Sequence, residues 1–137
     1  MIPILILAAG QSKRMRGADK MLEDAAGQPL LRRQVMMAAD TGQPVFVALP
    51  QDHAGRRAAI AGCDVTVIPC ADAAEGLSGS LRNSVAQLPD APAFMVLLAD
   101  LVALETSDLR KVIAARDADP DALIWRGATA DGKAGHP

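Results

Sequence analysis

Aromatic residues are scarce: two Phe, one Trp and no Tyr in 137 residues. A surface so poor in flat rings offers little for single-stranded nucleic acid to stack on. Neither sign of charge dominates. Fourteen Lys and Arg against sixteen Asp and Glu leave a formal net charge of −2. Nothing global therefore draws the chain to nucleic acid or to an anionic membrane, and any basic site must be local. Cysteine is limited to Cys63 and Cys70. On a single strand these two would face opposite sides of the sheet, roughly 23 Å apart, which excludes a bridge between them. They also lack zinc-ligand spacing with matching His partners. Two free thiols fit a reducing compartment. The opening run Met1 to Leu7 carries no basic leader and ends by Gly10, too short for a signal or a membrane span. A cytoplasmic location is expected, with no nucleic-acid or membrane partner.

What the sequence does have is aliphatic bulk. Half of the residues are hydrophobic, enough for a real core at this length. Five apolar runs read as strands: Ile4 to Ala9, Val45 to Leu49, Val65 to Ile68, Phe94 to Ala99 and Ala122 to Trp125. Several are nearly continuous rather than alternating, as in strands covered on both faces. Between them lie helical spacings: Leu30, Leu31, Val35 and Ala38 with Gly42 as a stop; Leu81, Val85 and Leu88 ended by Pro89; Leu109, Val112 and Ile113 with Thr106 or Ser107 as N-cap; and a weaker helix at Ala58 to Ala61. Strand and helix alternate from end to end. This predicts an α/β fold of Rossmann-like type, a three-layer α/β/α arrangement around a mostly parallel sheet. No repeat, low-complexity tract or linker breaks the chain, so a single domain over 1–137 is expected. Its end at Gly135-His136-Pro137 without a closing helix reads as a domain incomplete at the C-terminus.

One segment carries chemistry. Leu7-Ala8-Ala9-Gly10-Gln11-Ser12-Lys13-Arg14-Met15-Arg16-Gly17-Ala18-Asp19-Lys20 follows the first strand directly. Ligands of open α/β sheets bind beyond the carboxyl ends of the strands. Gly10 lets the backbone approach a ligand, and Ala8 and Ala9 leave room. Lys13, Arg14, Arg16 and Lys20 cluster four cations in one loop. Backbone N–H groups and cations converging there make an anion site; the alternative is a solvated turn that keeps the chain soluble. A Walker A loop is excluded, because Lys would directly follow the second Gly, whereas Lys20 follows Gly17 by three positions. The dinucleotide fingerprint is excluded because G-x-G is absent.

A second candidate is Asp100, immediately after Leu97-Leu98-Ala99. A carboxylate at a strand end is costly to bury unpartnered. Mg²⁺ is a fitting partner, since it accepts one or two carboxylates and fills its shell with phosphate oxygens and water. A helix cap or strand-end turn is the alternative role. Asp52-His53 reads as a helix cap. Arg56-Arg57, Arg110-Lys111 and the acidic stretch Asp117 to Asp121 read as solvated faces. No Ser-His-Asp or Cys-His arrangement has motif support.

The pattern Ala8-Ala9-Gly10-x-Ser12-x-Arg14-Met15-x-Gly17-x-x-Lys20 resembles the signature loop of the MobA-like nucleotidyltransferases. These are the molybdenum-cofactor branch of the glycosyltransferase-A, or nucleotide-diphospho-sugar transferase, fold. Arg16 stands as one extra residue in the pattern. The resemblance implies that Leu7, Ala8, Ala9, Gly10, Ser12, Arg14, Gly17 and Lys20 wrap the triphosphate, with Arg14 and Lys20 on the phosphates. Leu30-Leu31-Arg32-Arg33-Gln34 resembles the start of the family's first long helix. Glu75-Gly76-Leu77-Ser78-Gly79-Ser80-Leu81-Arg82 resembles its glycine- and serine-rich helix start. Ser78 and Ser80 would there contact the nucleotide, although a plain N-cap is the other reading of Ser78. Asp100 matches the family's metal-binding Asp, with Leu101-Val102 where Met-Pro is frequent. Gly135-His136-Pro137 resembles a family element that would put His136 on the acceptor side; a terminal His without a role is the alternative.

The resemblance implies a Mg²⁺-dependent nucleotidyltransferase. It would move a nucleoside monophosphate from CTP or GTP to molybdopterin and release pyrophosphate, in molybdenum cofactor biosynthesis. Ala8-Ala9-Gly10 favours CMP over GMP. Two alternatives stay open: a sugar-phosphate or other small-molecule nucleotidyltransferase of the same fold, and a non-catalytic nucleotide-binding accessory protein of molybdoenzyme assembly. A molybdoenzyme or chaperone would then be the protein partner.

Overall fold

The computed structural model describes residues 1–10, 19–71 and 76–133. Two compact units are distinguished, Met1–Ala103 and a second beginning at Leu104. In the first, the described residues form strands β1 (Ile4–Leu7), β2 (Asp24–Ala25), β3 (Gln28–Pro29), β4 (Val45–Pro50), β5 (Thr66–Cys70) and β6 (Met95–Leu98). They also form helices α1 (Leu30–Ala39), α2 (Ala54–Ala59) and α3 (Gly76–Val85), with a 3-10 turn at Lys20–Leu22.

The main sheet runs β5-β4-β1-β6 and is parallel throughout. Strand β1 is central, with Ile4 opposite Val45 on one side and Met95 on the other. Ile4, Leu5 and Ile6 are wholly buried, which is why this run is apolar at every position instead of every second one. The pleat sends Leu5 and Leu7 to one face, where they join Ala48, Ile68 and Cys70 beneath Leu81 and Val85 of α3. Ile4, Ile6, Val47 and Leu49 have the opposite parity and are buried too. Helix α1 packs on β4 with Leu30, Leu31, Val35 and Ala38 buried. Right-handed crossovers run one way from β1 to β4 and the other way from β5 to β6, so α1 and α3 fall on opposite faces.

Helix α1 stops where expected: Gly42 takes a left-handed φ of 81°, which glycine adopts at no steric cost. A short hairpin, β2 with β3, was not expected. Its turn is Ala26-Gly27 with φ of 57° and 87°, the double positive φ that suits a two-residue hairpin.

The second unit contains α4 (Thr106–Ala118). Its N-cap is Glu105 rather than Thr106 or Ser107: the Glu105 N–H donates to the Asp108 carboxylate at 3.0 Å, a reciprocal capping box that neither hydroxyl offers. The fifth expected strand is corrected. Ala122–Trp125 forms no strand, and Leu123 and Ile124 are 93 % and 79 % exposed. A strand exists only through a ladder, and among the described residues none pairs with this run. Cys63 also lies off β5, and both thiols are free.

Leu31 is fully buried on α1. Leu31→Ala is expected to cost about 3 kcal/mol, read as a lower urea midpoint at unchanged slope.

Candidate functional site

The sheet order places the second and third main-sheet strands on one side of β1 and the fourth on the other. The strand order thus reverses between β1 and β6, and open α/β sheets bind ligands outside the carboxyl ends at such a point. Leu7 is opposite Leu98, and the ladder runs one bond further, from the Ala99 N–H to the Leu7 carbonyl at 3.3 Å. Ala99 and Asp100 then form a turn, the Leu101 N–H closing on the Leu98 carbonyl at 3.3 Å, so Asp100 stands just past the carboxyl end of β6. Asp100 is exposed, not pointed into the core.

The turn carrying Asp100 is pinned from α1. Gln34, wholly buried, donates through Nε2 to the Leu101 carbonyl at 2.9 Å. Val102 N–H closes back on the Asp100 carbonyl at 3.0 Å. Among the described residues no cluster of three His, Cys, Asp or Glu side chains forms. One outward carboxylate at a strand end still fits Mg²⁺, which takes few protein ligands and completes its shell from phosphate and water.

On the β1 side, Leu7, Ala8 and Ala9 are buried, so they offer a ligand backbone and not side chains. At Gly10 an added Cβ would meet no atom within 4 Å among the described residues. Ser12, Arg14, Gly17 and His136 lie outside the described residues, as do Lys13 and Arg16. Lys20 opens the 3-10 turn, whose N-cap is Asp19. Ser78, in the first turn of α3, is exposed, while Ser80 is buried. Two positions apart on a helix, they point to different sides, so the pair does not converge on one ligand atom. Neither is an observed N-cap, since α3 begins at Gly76.

The structure adds a residue that sequence reasoning had assigned to a solvated face. Arg56 is only 2 % exposed. Its Nη1 donates to the carbonyls of Ala8 at 2.5 Å and Gly10 at 2.8 Å. Its Nε and Nη2 grip Asp19 at 2.8 and 3.0 Å. Asp19 also accepts from the Met21 N–H at 3.0 Å and lies 3.0 Å from His53 Nε2. His53 caps α2, as expected, by accepting the Arg56 N–H through Nδ1 at 3.1 Å. That bond leaves Nε2 to carry the proton of the neutral ring and donate it to Asp19. Gly55 lets α2 lie close to the turn bearing Lys20: a Cβ there would sit 3.1 Å from Leu22 Cδ1. The neighbouring Arg57 is exposed as expected, so the pair divides.

Burial by itself would raise the Asp19 carboxyl. The Arg56 hydrogen bonds, the Met21 N–H and the charge of Arg56 outweigh it and hold the group below its ordinary value. A concavity lined by Ala39, Gly42, Gln43, Asp64 and Thr66 lies at the amino ends of β4 and β5, the wrong edge for a switch-point ligand.

Comparison with known proteins agrees with the fold. The family profile described as the MobA-like NTP transferase domain matches residues 4–137. The bifunctional protein GlmU of Xanthomonas campestris pv. campestris is 30% identical over 113 residues, 80% of this chain and 25% of that protein. The chain therefore spans about a quarter of the length of the curated relatives it matches. The crystal structure of Rv0371c from Mycobacterium tuberculosis H37Rv superposes with a TM-score of 0.77 at 31% identity, covering 99% of this chain and 68% of that one. The same protein in complex with manganese gives 0.76 at 28% identity over the same shares.

A depressed carboxyl stabilises the fold above its unfolded pKa, near 4, and the contribution is lost as pH falls through the lower folded value. Urea melts of wild type and Asp19→Asn should therefore show a stability gap that is full above about pH 4 and narrows on further acidification. A gap that widens there would contradict the pairing.

Proposed function

We propose that this chain, which belongs to the family of MobA-like NTP transferase domains, binds a nucleoside triphosphate with Mg²⁺ at the β1–β6 crevice and transfers its nucleoside monophosphate to molybdopterin. CMP is favoured by Ala8-Ala9-Gly10, with GMP second. The observation that carries the reading is the emergence of an exposed Asp100 beside the strand end that leads into the glycine loop. The carboxylate that follows β6 and the end of β1 that leads to residues 11–18 share the sheet rim where ligands of this architecture bind.

The acceptor's phosphate oxygen attacks the α-phosphorus. A new P–O bond forms there as the bond to the bridging oxygen breaks, and that electron pair leaves with pyrophosphate. Arg14 and Lys20 grip the phosphates and offset the charge that builds on pyrophosphate. Asp100 would hold Mg²⁺, and Gln34 keeps the turn of Asp100 in place. An ion held there would supply positive charge against the phosphates. No protein nucleophile or base is needed, because a phosphate acceptor is already ionised; positioning supplies most of the rate. In this reading Ser78 and Ser80 would contact the base and sugar, and His136 would serve the acceptor side.

The manganese complex of Rv0371c supports a divalent ion. Among the described residues no helix is long and apolar enough to cross a membrane. Free thiols suit a cytoplasmic setting, where a molybdoenzyme or its chaperone would receive the product.

The test is Mg²⁺-dependent pyrophosphate release from CTP, GTP, ATP and UTP with molybdopterin as acceptor. Asp100→Ala is expected to lower turnover by at least about a hundredfold, with an unchanged melting temperature because the side chain is exposed. Wild-type turnover in that variant would sink the assignment. Nucleotide binding without turnover by the full chain would favour the accessory binding role. Turnover with a sugar phosphate alone would move the acceptor to the sugar class.

A further inference from the structure

We infer that Arg56 is the positioning residue of the nucleotide loop, setting the distance between Gly10 and Asp19 and so the place of Lys20 relative to β1. This rests on the reading of that loop as a nucleotide site. Gly10 and Asp19 are the described residues that bound residues 11–18, and a single guanidinium holds both. It comes from far along the chain, 46 positions from Gly10 and 37 from Asp19. Four of its five N–H groups are engaged, two on each side of the gap.

The role is geometric and not that of a direct phosphate ligand. Arg56 is buried, four of its five donors are occupied, and its charge is paired by Asp19 at 2.8 Å. Asp19 Oδ2, which accepts from Arg56 Nε, also lies 3.0 Å from His53 Nε2, and that ring is itself fixed by the cap bond to the Arg56 backbone. Side chain and backbone of one residue thus close a ring through His53 and Asp19. The next residue is Lys20, which the 3-10 turn aligns. Lysine cannot replace this arrangement, because a point ammonium cannot span two carbonyls and a carboxylate with a planar fork.

The experiment uses the full chain and Arg56→Lys, which keeps the charge and the methylene stem. Amide hydrogen exchange is followed at residues 8–10 and 19–22 without ligand. Steady-state kinetics use whichever of ATP, CTP, GTP and UTP the wild type uses best. Flank exchange is expected to rise about tenfold or more. KM for the nucleotide should rise about tenfold, with kcat changed less than about threefold. A purely structural arginine would lower the melting temperature and leave KM alone, so unchanged KM overturns the inference, as does wild-type exchange at both flanks. If Arg56→Lys does not fold, Asp19→Asn, which keeps the Arg56 bonds to Ala8 and Gly10, is judged by the same two readouts. If the wild type binds none of the four nucleotides, the proposed function falls. The exchange result alone then decides whether Arg56 holds the loop.

Discussion

Strand β1 hydrogen-bonds in parallel to a strand on each side and is covered on both faces, so it meets water only at its ends. A segment enclosed in this way can carry no polar side chain along its length. All its chemistry must therefore collect where the ladder runs out, at Ala8 to Gly10. The same pairing brings β6 alongside and delivers Asp100 to that rim. Register fixes which β6 residues end beside β1, because a shift by one would turn every β6 side chain to the other face of the sheet.

The rim itself is held by polar groups taken out of water. Arg56 and Gln34 are among the few buried polar side chains of the described core. Each ends on backbone carbonyls next to the candidate site, of Ala8 and Gly10 in one case and Leu101 in the other. A buried guanidinium is expensive unless its bonds are made, and here four are. A hydrophobic residue of like volume could fill the space under the loop but could not satisfy carbonyls from two separate segments. The acidic balance of the whole chain is compatible with an anion site for the same reason: the cations that matter are few and local.

Much of the fold could be read directly. Ile4 to Leu7, Val45 to Leu49 and Met95 to Leu98 are unbroken aliphatic runs, and burial on both faces leaves that trace. Leu30, Leu31, Val35 and Ala38 show the face of α1, and Gly42 its end. Asp100 was legible because a carboxylate directly after such a run can only stand at a sheet edge. The failures have physical causes as well. Ala122–Trp125 has strand-like composition, but composition does not supply a ladder partner. Arg56 was hidden because α2 is six residues long, too short to show a periodic stripe, and because Arg57 beside it does face solvent.

The sequence by itself determined which segments are apolar enough to be enclosed, where the basic glycine loop begins and which carboxylate ends a strand. Those properties are local, written in side-chain chemistry and spacing along one stretch of chain. Only the tertiary structure decided that β6 lies beside β1, that Gln34 holds the turn of Asp100, and that a single arginine from α2 joins Gly10 to Asp19. Each of these depends on groups dozens of residues apart meeting at hydrogen-bond distance. Strand order and burial set such meetings, and no local pattern encodes them.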